Sequence, residues 1–118
     1  FDIQFVLGIL CGLPATVENL VHMVDAAAKA LGKDNFVWSV VGAGKMQMNL
    51  GAVALAMGGN VRVGLEDSVW LEKCVQANSN ADQVDKMLRI AKELSREIAT
   101  PSEAREILQT KGQNKVAF

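Results

Sequence analysis

Three short segments with strand-like sequence recur along this chain, and each is followed by a stretch with helical periodicity. The segments cover residues 5–10, 36–41 and 60–66, and their starts are 31 and 24 residues apart. Short apolar runs of this kind are typical of parallel strands, and this spacing is typical of βα units. The sequence therefore predicts an α/β fold in which the three segments are neighbouring parallel strands.

The first two strands are each followed by a predicted helix. Thr16 is placed as the N-cap of the first helix, apolar residues then recur at helical spacing, and Gly32 ends it. The second helix is predicted over residues 46–57, which are rich in alanine. His22 lies within the first helix, where a lone histidine is more often a structural residue than a metal ligand.

Two further helices are predicted after the third strand. One begins around residues 79–82, where Asn80 and Gln83 have the spacing of a capping box. The other begins with Thr100 as N-cap, has proline in its first turn, and runs to about Gln109. The basic residues of the third helix are most simply a solvated face, opposite its apolar stripe.

The length of the chain suits one ordinary domain, but the number of strands does not. The chain has 118 residues, of which half are hydrophobic and 21% are charged. Three strands alone leave both edges of the sheet open. We therefore expect residues 1–109 to be the last portion of a larger α/β domain, and residues 110–118 to be a polar tail or a subunit contact.

Charge and cysteine content exclude several classes of function. The net charge is −1 and there is no basic run, which gives no support for a nucleic-acid or anionic-membrane partner. The apolar segment 3–10 has no basic flank and is too short to span a bilayer. Cys11 and Cys74 are far apart and form no CxxC motif, a usage that fits a reducing cytoplasm.

The third predicted strand has charged residues in an unusual place. In a straight strand, Arg62, Gly64 and Glu66 share one face, and Asp67 follows at the end. Arg62 and Glu66 would lie about 13 Å apart, so we expect each to have a separate partner. Gly64 would leave open space between them, as where a ligand approaches. The alternative is a strand that simply runs out into solvent, with the acids capping the next element.

Residues 68–78 are a candidate wall of a pocket, and a glycine-rich turn earlier in the chain is a candidate anion site. Residues 68–78 are predicted to be irregular and too long for a plain βα turn. Gly42, Gly44 and Lys45 form a glycine-rich turn between a strand and a helix, which can present backbone N–H groups to an anion. This turn matches neither a Walker loop nor a dinucleotide fingerprint, so a plain tight βα turn explains it equally well.

A longer pattern in the chain resembles the family of β-keto acid cleavage enzymes. The resemblance rests on Gly-Gly-Asn-Val-Arg-Val-Gly-Leu-Glu-Asp at 58–67, Ser-Asn-Ala at 79–81, and Arg-Glu-Ile-Ala-Thr-Pro-Ser-Glu-Ala-Arg at 96–105. Leu-Pro-Ala-Thr at 13–16 and Trp-Ser-Val at 38–40 also match, and the similarity extends to about Leu108. It implies a TIM (β/α)8 barrel of which this chain is the C-terminal part, with the last three βα units and a terminal helix.

The resemblance also implies an activity and roles for three residues. A β-keto acid and acetyl-CoA would give acetoacetate and a new acyl-CoA in a zinc-dependent exchange. Glu66 would be a zinc ligand, Asp67 the base at C2 of the substrate, and Arg62 would orient Asp67 and stabilise negative charge. The other zinc ligands of the family are a His-x-His pair from an early strand, whereas the only histidine here is His22.

Further expectations concern the co-substrate and the assembly. Loops seven and eight of a TIM barrel often bind phosphate, so Gly42, Gly44, Lys45 and segment 68–78 are the expected coenzyme A contacts. The enzyme is expected to be a cytoplasmic homo-oligomer that needs the N-terminal part of the barrel. Two alternatives remain open at this point: another metal-dependent TIM-barrel aldolase or lyase acting on keto acids, and a non-catalytic barrel fragment.

Overall fold

The computed structural model describes residues 1–112, and none of their helices is long and apolar enough to cross a membrane. A single turn of 3₁₀ helix, Gly44–Met46, leads into the second α-helix. The elements in chain order are β1 (Asp2–Leu7), α1 (Val17–Leu31), β2 (Val37–Gly42), α2 (Gln47–Ala56), β3 (Asn60–Val61), β4 (Trp70–Glu72), β5 (Val75–Gln76), α3 (Asn80–Glu93) and α4 (Pro101–Ile107).

Strands β1, β2 and β3 form one parallel sheet in that order. The register pairs Gln4 with Ser39 and Ser39 with Asn60. The prediction of three neighbouring parallel strands in an α/β fold is therefore confirmed. Because parallel strands end at the same edge, the loops that follow all three strands meet there.

The hydrophobic core lies between one face of this sheet and helices α1 and α2. The aromatic rings of Phe5 and Trp38 anchor it, with their centroids 5.9 Å apart. Both connecting helices cover the same face of the sheet. The buried residues of this core are Phe5, Leu7, Trp38 and Val40 from the strands, and Leu20, Leu50 and Ala54 from the helices.

The opposite face of the sheet is more polar. Gln4 and Val6 of β1 are exposed on it, and Gln4 Nε2 lies 3.4 Å from Ser39 Oγ of β2. Side chains alternate between the faces of a strand, so this face is separated from the core by the sheet itself. It is the face from which a polar site can be built.

The bounds of the first strand differ from the predicted 5–10. Strand β1 ends at Leu7 because Gly8 has φ of +88°, and the chain leaves the sheet at this point. The Gly8 N–H donates to Leu13 O at 2.8 Å, which closes the loop before α1. The apolar residues 9–10 were thus wrongly assigned to the strand, since they belong to this loop.

The third strand is also shorter than the predicted 60–66. Its ladder covers Asn60–Val61, and the Arg62 N–H still donates to Val40 O at 2.9 Å. Beyond this bond the chain turns, because Gly64 O accepts hydrogen bonds from the N–H groups of both Asp67 and Ser68. Glu66 and Asp67 therefore lie on a turn and not at the end of a straight strand.

Segment 68–78 was predicted to be irregular, and this prediction is wrong. Strands β4 and β5 form a two-stranded antiparallel hairpin in which Trp70 pairs with Gln76. Cys74, in its turn, has φ of +62°. The hairpin follows the turn that bears Glu66 and Asp67.

The ends of helices α1 and α4 follow the predictions. Thr16 caps α1 by accepting a hydrogen bond from the Asn19 N–H, and Gly32, with φ of +88°, ends it. The capping box of α4 joins Thr100 and Glu103, although the helix ends at Ile107 and not at Gln109. Of the tail predicted over 110–118, residues 113–118 lie outside the described part of the chain.

The start of helix α3 corrects the predicted capping box. Ser79 is the N-cap, and its Oγ accepts a hydrogen bond from the Asp82 N–H at 3.2 Å. The Asp82 carboxylate in turn accepts from the N–H of Asn78 and the hydroxyl of Ser79. Asn80 and Gln83 therefore do not form a capping box, and both side chains contact the turn after β3 instead.

The cap of α3 generates a pH-dependent prediction. Hydrogen bonds from the Asn78 N–H and Ser79 lower the pKa of Asp82. A carboxylate with a lowered folded-state pKa stabilises the fold above its unfolded value of about 4, and this contribution is lost as the pH falls through the folded pKa. Asp82→Asn should therefore be less stable than wild type at pH 7, and the difference should shrink at acid pH.

Urea unfolding of both proteins at several pH values measures this difference. Asp85→Asn is the matched control, because Asp85 is an exposed carboxylate on the same helix with no hydrogen bond in residues 1–112. A difference between wild type and Asp82→Asn that stays constant with pH would contradict the assigned role of the carboxylate.

Candidate functional site

The candidate site is the turn after β3, residues 62–68, which we call the site loop. Arg62 is its central residue. Arg62 Nη1 donates to Gln4 Oε1 of β1 at 3.1 Å, and Nη2 lies 3.3 Å from Glu66 Oε2 and 3.2 Å from Asp67 Oδ2. One guanidinium thus joins the first strand of the sheet to both acids of the loop.

The direct contact between Arg62 and Glu66 corrects a sequence prediction. Separate partners were expected from the length of a straight strand, but the turn at Gly64 folds Glu66 back toward Arg62. The pair is exposed, with 44% of the Arg62 side chain and 85% of the Glu66 side chain accessible. Such pairs contribute about 0–1 kcal/mol, so Glu66 can exchange Arg62 for another partner at little cost.

Asp67 differs from Glu66 in its surroundings. Only 16% of its side chain is accessible, and its Oδ2 is buried without accepting a hydrogen bond from residues 1–112. Arg62 Nη2 is close enough for an ion pair, but its N–H groups are not aimed at this oxygen. Buried carboxylate oxygens are normally hydrogen-bonded, so Asp67 Oδ2 retains unused capacity to accept a proton or a hydrogen bond.

Side chains of helices α2 and α3 hydrogen-bond to the backbone of the site loop. Gly64 N–H donates to Gln47 Oε1 of α2 at 3.2 Å, and Leu65 N–H donates to Asn80 Oδ1 of α3 at 2.8 Å. At the other end, Ser68 O accepts a hydrogen bond from Gln83 Nε2 of α3. Sequence reasoning gave these polar side chains no role in the site. The available signal was Gln83, a polar residue at the head of the buried stripe of α3.

The glycine-rich turn after β2 lies against the site loop. Gly44 N–H donates to Asp67 O at 2.8 Å, and Ala43 N–H donates to Leu7 O at 2.8 Å. These two N–H groups are therefore already used within the protein. Gly42 ends β2 and is buried, whereas Lys45 is exposed.

Lys45 opens onto a cleft of about 620 Å³ between this turn and the β4–β5 hairpin. Lys73 and Lys86 also line it, and Lys86 Nζ donates to Leu71 O at 2.6 Å and to Glu72 Oε1 at 3.2 Å. The structure thus brings the glycine-rich turn and segment 68–78 to opposite sides of one cleft, with three lysines on its walls.

The described residues supply one candidate metal ligand but not a complete metal site. Residues 1–112 contain no group of three or more His, Cys, Asp or Glu side chains that could hold a metal ion. The exposed carboxylate of Glu66 could bind a metal ion, because its ion pair with Arg62 is weak. Catalytic zinc sites use three protein ligands, so two more would have to come from outside these residues.

These features define a class: an α/β protein with a charged cluster at the carboxyl edge of a parallel sheet, where such folds bind ligands. The sequence model of the β-keto acid cleavage enzyme family matches residues 1–110. The chain belongs to this family. The resemblance noted in the sequence is thereby confirmed.

Named relatives give the range of reactions. The chain is 48% identical over 118 residues to 3,5-dioxohexanoate:acetyl-CoA acetone transferase of Paraburkholderia graminis, covering all of this chain and 38% of that relative. It is 44% identical over 108 residues to 3-keto-5-aminohexanoate cleavage enzyme of Fusobacterium nucleatum, covering 92% of this chain and 37% of that relative. It is 37% identical over 106 residues to 3-oxoadipate:acetyl-CoA acetyltransferase of Cupriavidus necator, covering 90% of this chain and 37% of that relative. The chain spans little more than a third of these relatives, all of which are named as enzymes.

An added methyl group should have different effects at two glycines near the site. A Cβ at Gly64 would lie 3.6 Å from Asn80 Oδ1 and 3.9 Å from Asp67 Oδ2, which are ordinary contacts. A Cβ at Gly59 would lie 2.5 Å from the Trp38 ring. Gly64→Ala should therefore change the free energy of unfolding by less than about 0.5 kcal/mol, whereas Gly59→Ala should destabilise by about 1–3 kcal/mol.

Urea unfolding curves of the two variants measure these free energies. If Gly64→Ala were as destabilising as Gly59→Ala, the space beside Asp67 would not be open.

Proposed function

We propose that this chain is the C-terminal part of a zinc-dependent β-keto acid cleavage enzyme. The enzyme would exchange acyl groups, converting a β-keto acid and acetyl-CoA into acetoacetate and a new acyl-CoA. The names of the relatives support this reaction class, because they include two acetyl-CoA-dependent transferases and a keto acid cleavage enzyme. The observation that carries the proposal is the contact of one arginine with two adjacent carboxylates on the turn that follows a parallel strand.

The packing of the sheet supports a TIM barrel for the whole enzyme. Helices α1 and α2 both cover one face of the three parallel strands, and the other face bears Gln4, Ser39 and Arg62. In a barrel, all helices lie outside and polar residues at the carboxyl ends of strands point toward the substrate. Under this proposal, residues 1–109 form the last three βα units and the terminal helix.

Asp67 is assigned as the base that removes a proton from C2 of the β-keto acid. Its Oδ2 is shielded from solvent and accepts no hydrogen bond within residues 1–112, which suits an atom that must receive a proton. Removal of this proton leaves negative charge on the substrate. Arg62, 3.2 Å from Asp67, would orient the carboxylate and offset that charge.

Glu66 is assigned as the carboxylate ligand of the zinc ion. Two further ligands would come from the N-terminal part of the barrel, since residues 1–112 supply no complete set. Bound zinc would act as a Lewis acid toward the keto oxygen of the substrate. Glu66 is suited to this role because its exposed pair with Arg62 leaves it free to change partner.

The lysine-lined cleft beside the site loop is the proposed contact for coenzyme A. Lys45 and Lys73 offer cations to its phosphates, and Gly42 and Gly44 shape the adjoining turn. The cytoplasmic location and the homo-oligomeric state remain predictions. The exposed, free thiols of Cys11 and Cys74 agree with a reducing compartment.

The role of Arg62 predicts the effect of a conservative change in the full-length enzyme. Because Arg62→Lys keeps the positive charge, the variant should fold and bind zinc normally. It loses the planar fork that reaches Gln4 and both acids. Turnover should fall at least about a hundredfold, the loss typical of one oriented electrostatic group. Acetoacetate formation from acetyl-CoA and a panel of β-keto acids measures it.

Arg89→Lys is the matched control, because Arg89 is exposed on α3 and its side chain makes no hydrogen bond within residues 1–112. Near-normal turnover of Arg62→Lys would reduce Arg62 to a structural cation. If the wild-type protein with bound zinc produced no acetoacetate from any keto acid, the aldolase or lyase alternative would be favoured.

The roles of the two acids predict different losses. Glu66→Gln should lose most bound zinc, because a neutral amide is a poorer ligand than a carboxylate. Asp67→Asn should keep its zinc but lose turnover, because the base is gone. Metal analysis and the acetoacetate assay of both variants separate the roles. Equal zinc in wild type and Glu66→Gln would exclude Glu66 as a ligand, and wild-type protein without zinc would favour a non-catalytic fragment.

A further inference from the structure

Two glutamines that are far apart in sequence form a buried pair beneath the site loop. Gln47 of α2 and Gln83 of α3 are 1% and 0% exposed. Gln47 Nε2 donates to Gln83 Oε1 at 3.1 Å. Burying two amide groups is costly unless all their polar atoms are paired, so such a pair requires further partners.

Those partners are Gly64 and Ser68 of the site loop. Gln47 Oε1 accepts from the Gly64 N–H at 3.2 Å, and Gln83 Nε2 donates to Ser68 O. The three hydrogen bonds form one continuous chain from Gly64 to Ser68, and Asp67 lies between its ends. We call the two residues the glutamine clamp.

The backbone fixes the orientation of both amides. Gly64 offers an N–H, so Gln47 must present its oxygen, and Ser68 offers a carbonyl, so Gln83 must present its nitrogen. The remaining nitrogen and oxygen then face each other with the correct polarity. The amide group supplies both the donor and the acceptor that each position needs, whereas leucine has no polar group and glutamate has no donor.

We propose that Gln47 and Gln83 are positioning residues, which hold Asp67 beside Arg62 at the distance and angle that proton removal requires. This inference rests on the function proposed above for Asp67. The backbone of the turn that bears the two acids is held by local bonds from the N–H groups of Asp67 and Ser68 to Gly64 O, and by one bond from the Gly44 N–H to Asp67 O. The clamp connects this turn to two packed helices, and misplacement of a reacting group by about 1 Å can cost a hundredfold in rate.

The test uses Gln47→Leu and Gln83→Leu in the full-length enzyme, under conditions in which unfolding curves show each variant fully folded. Both should retain zinc, because Glu66 is exposed at the tip of the loop. We expect kcat to fall about a hundredfold while KM changes less than about threefold. The rate of deuterium uptake at C2 of the β-keto acid should fall in parallel with kcat.

Met87→Ala is the control for a purely structural effect. Met87 is 7% exposed and lies on the same buried stripe of α3 as Gln83. Its truncation should lower stability without lowering kcat of the folded enzyme. A kcat within about threefold of wild type in Gln47→Leu, or an equal loss in Met87→Ala, would overturn the inference.

Hydrogen–deuterium exchange measured by mass spectrometry on peptides covering 62–68 tests the clamp without any assay of activity. Exchange in this peptide should be faster in Gln47→Leu and Gln83→Leu, and unchanged in Met87→Ala. Unchanged exchange in the leucine variants would overturn the clamp itself. Exchange could be faster in the leucine variants even though the wild-type enzyme forms no acetoacetate. That result would overturn the proposed function and leave the clamp as a structural feature of the loop.

Discussion

The arrangement of the site depends on the contacts of one guanidinium group. Arg62 joins Gln4 on the first strand to Glu66 and Asp67 on the turn after the third. Its five N–H donors in a planar fork allow it to reach several acceptors at once, which an ammonium group cannot do with the same geometry. The order of the parallel strands matters for this reason, since it places Gln4 and Arg62 on the same face of the sheet, within hydrogen-bond distance.

The two adjacent acids are distinguished by their surroundings. Glu66 is almost fully exposed and weakly paired, whereas Asp67 is largely buried with an oxygen that has no hydrogen-bond donor in residues 1–112. On the turn after β3, the Glu66 side chain points to solvent and the Asp67 side chain points toward the protein interior. Under the proposed function, the exposed carboxylate would bind the metal ion and the buried one would accept the proton.

The sequence predicted three neighbouring parallel strands and most helix ends, since the spacing of the segments and the capping residues can be recognised along the chain. The helix ends at Thr16, at Gly32 and at the Thr100–Glu103 capping box are formed by hydrogen bonds between residues three or four positions apart. The paths of the loops were less predictable. The hairpin was missed because its turn has Cys74 at positive φ, where Asn-Gly or Asp-Gly is the usual signal.

Within the site, the residues of the family motif were identified from sequence, but their contacts were not. The expected separation of Arg62 and Glu66 assumed a constant rise per residue, which the turn at Gly64 removes. The pairing of Gln47 with Gln83 depends on how α2 packs beside α3, so no local pattern could have indicated it.

The origin of the carbon atoms in acetoacetate tests the proposed exchange most directly. In this exchange the bond between C2 and C3 of the β-keto acid breaks, and C2 forms a new bond to the acetyl carbonyl carbon of acetyl-CoA. With acetyl-CoA labelled with ¹³C at that carbonyl, the full-length enzyme should produce acetoacetate labelled at C3 and an unlabelled acyl-CoA. Cleavage of the β-keto acid with no ¹³C in acetoacetate would contradict the account.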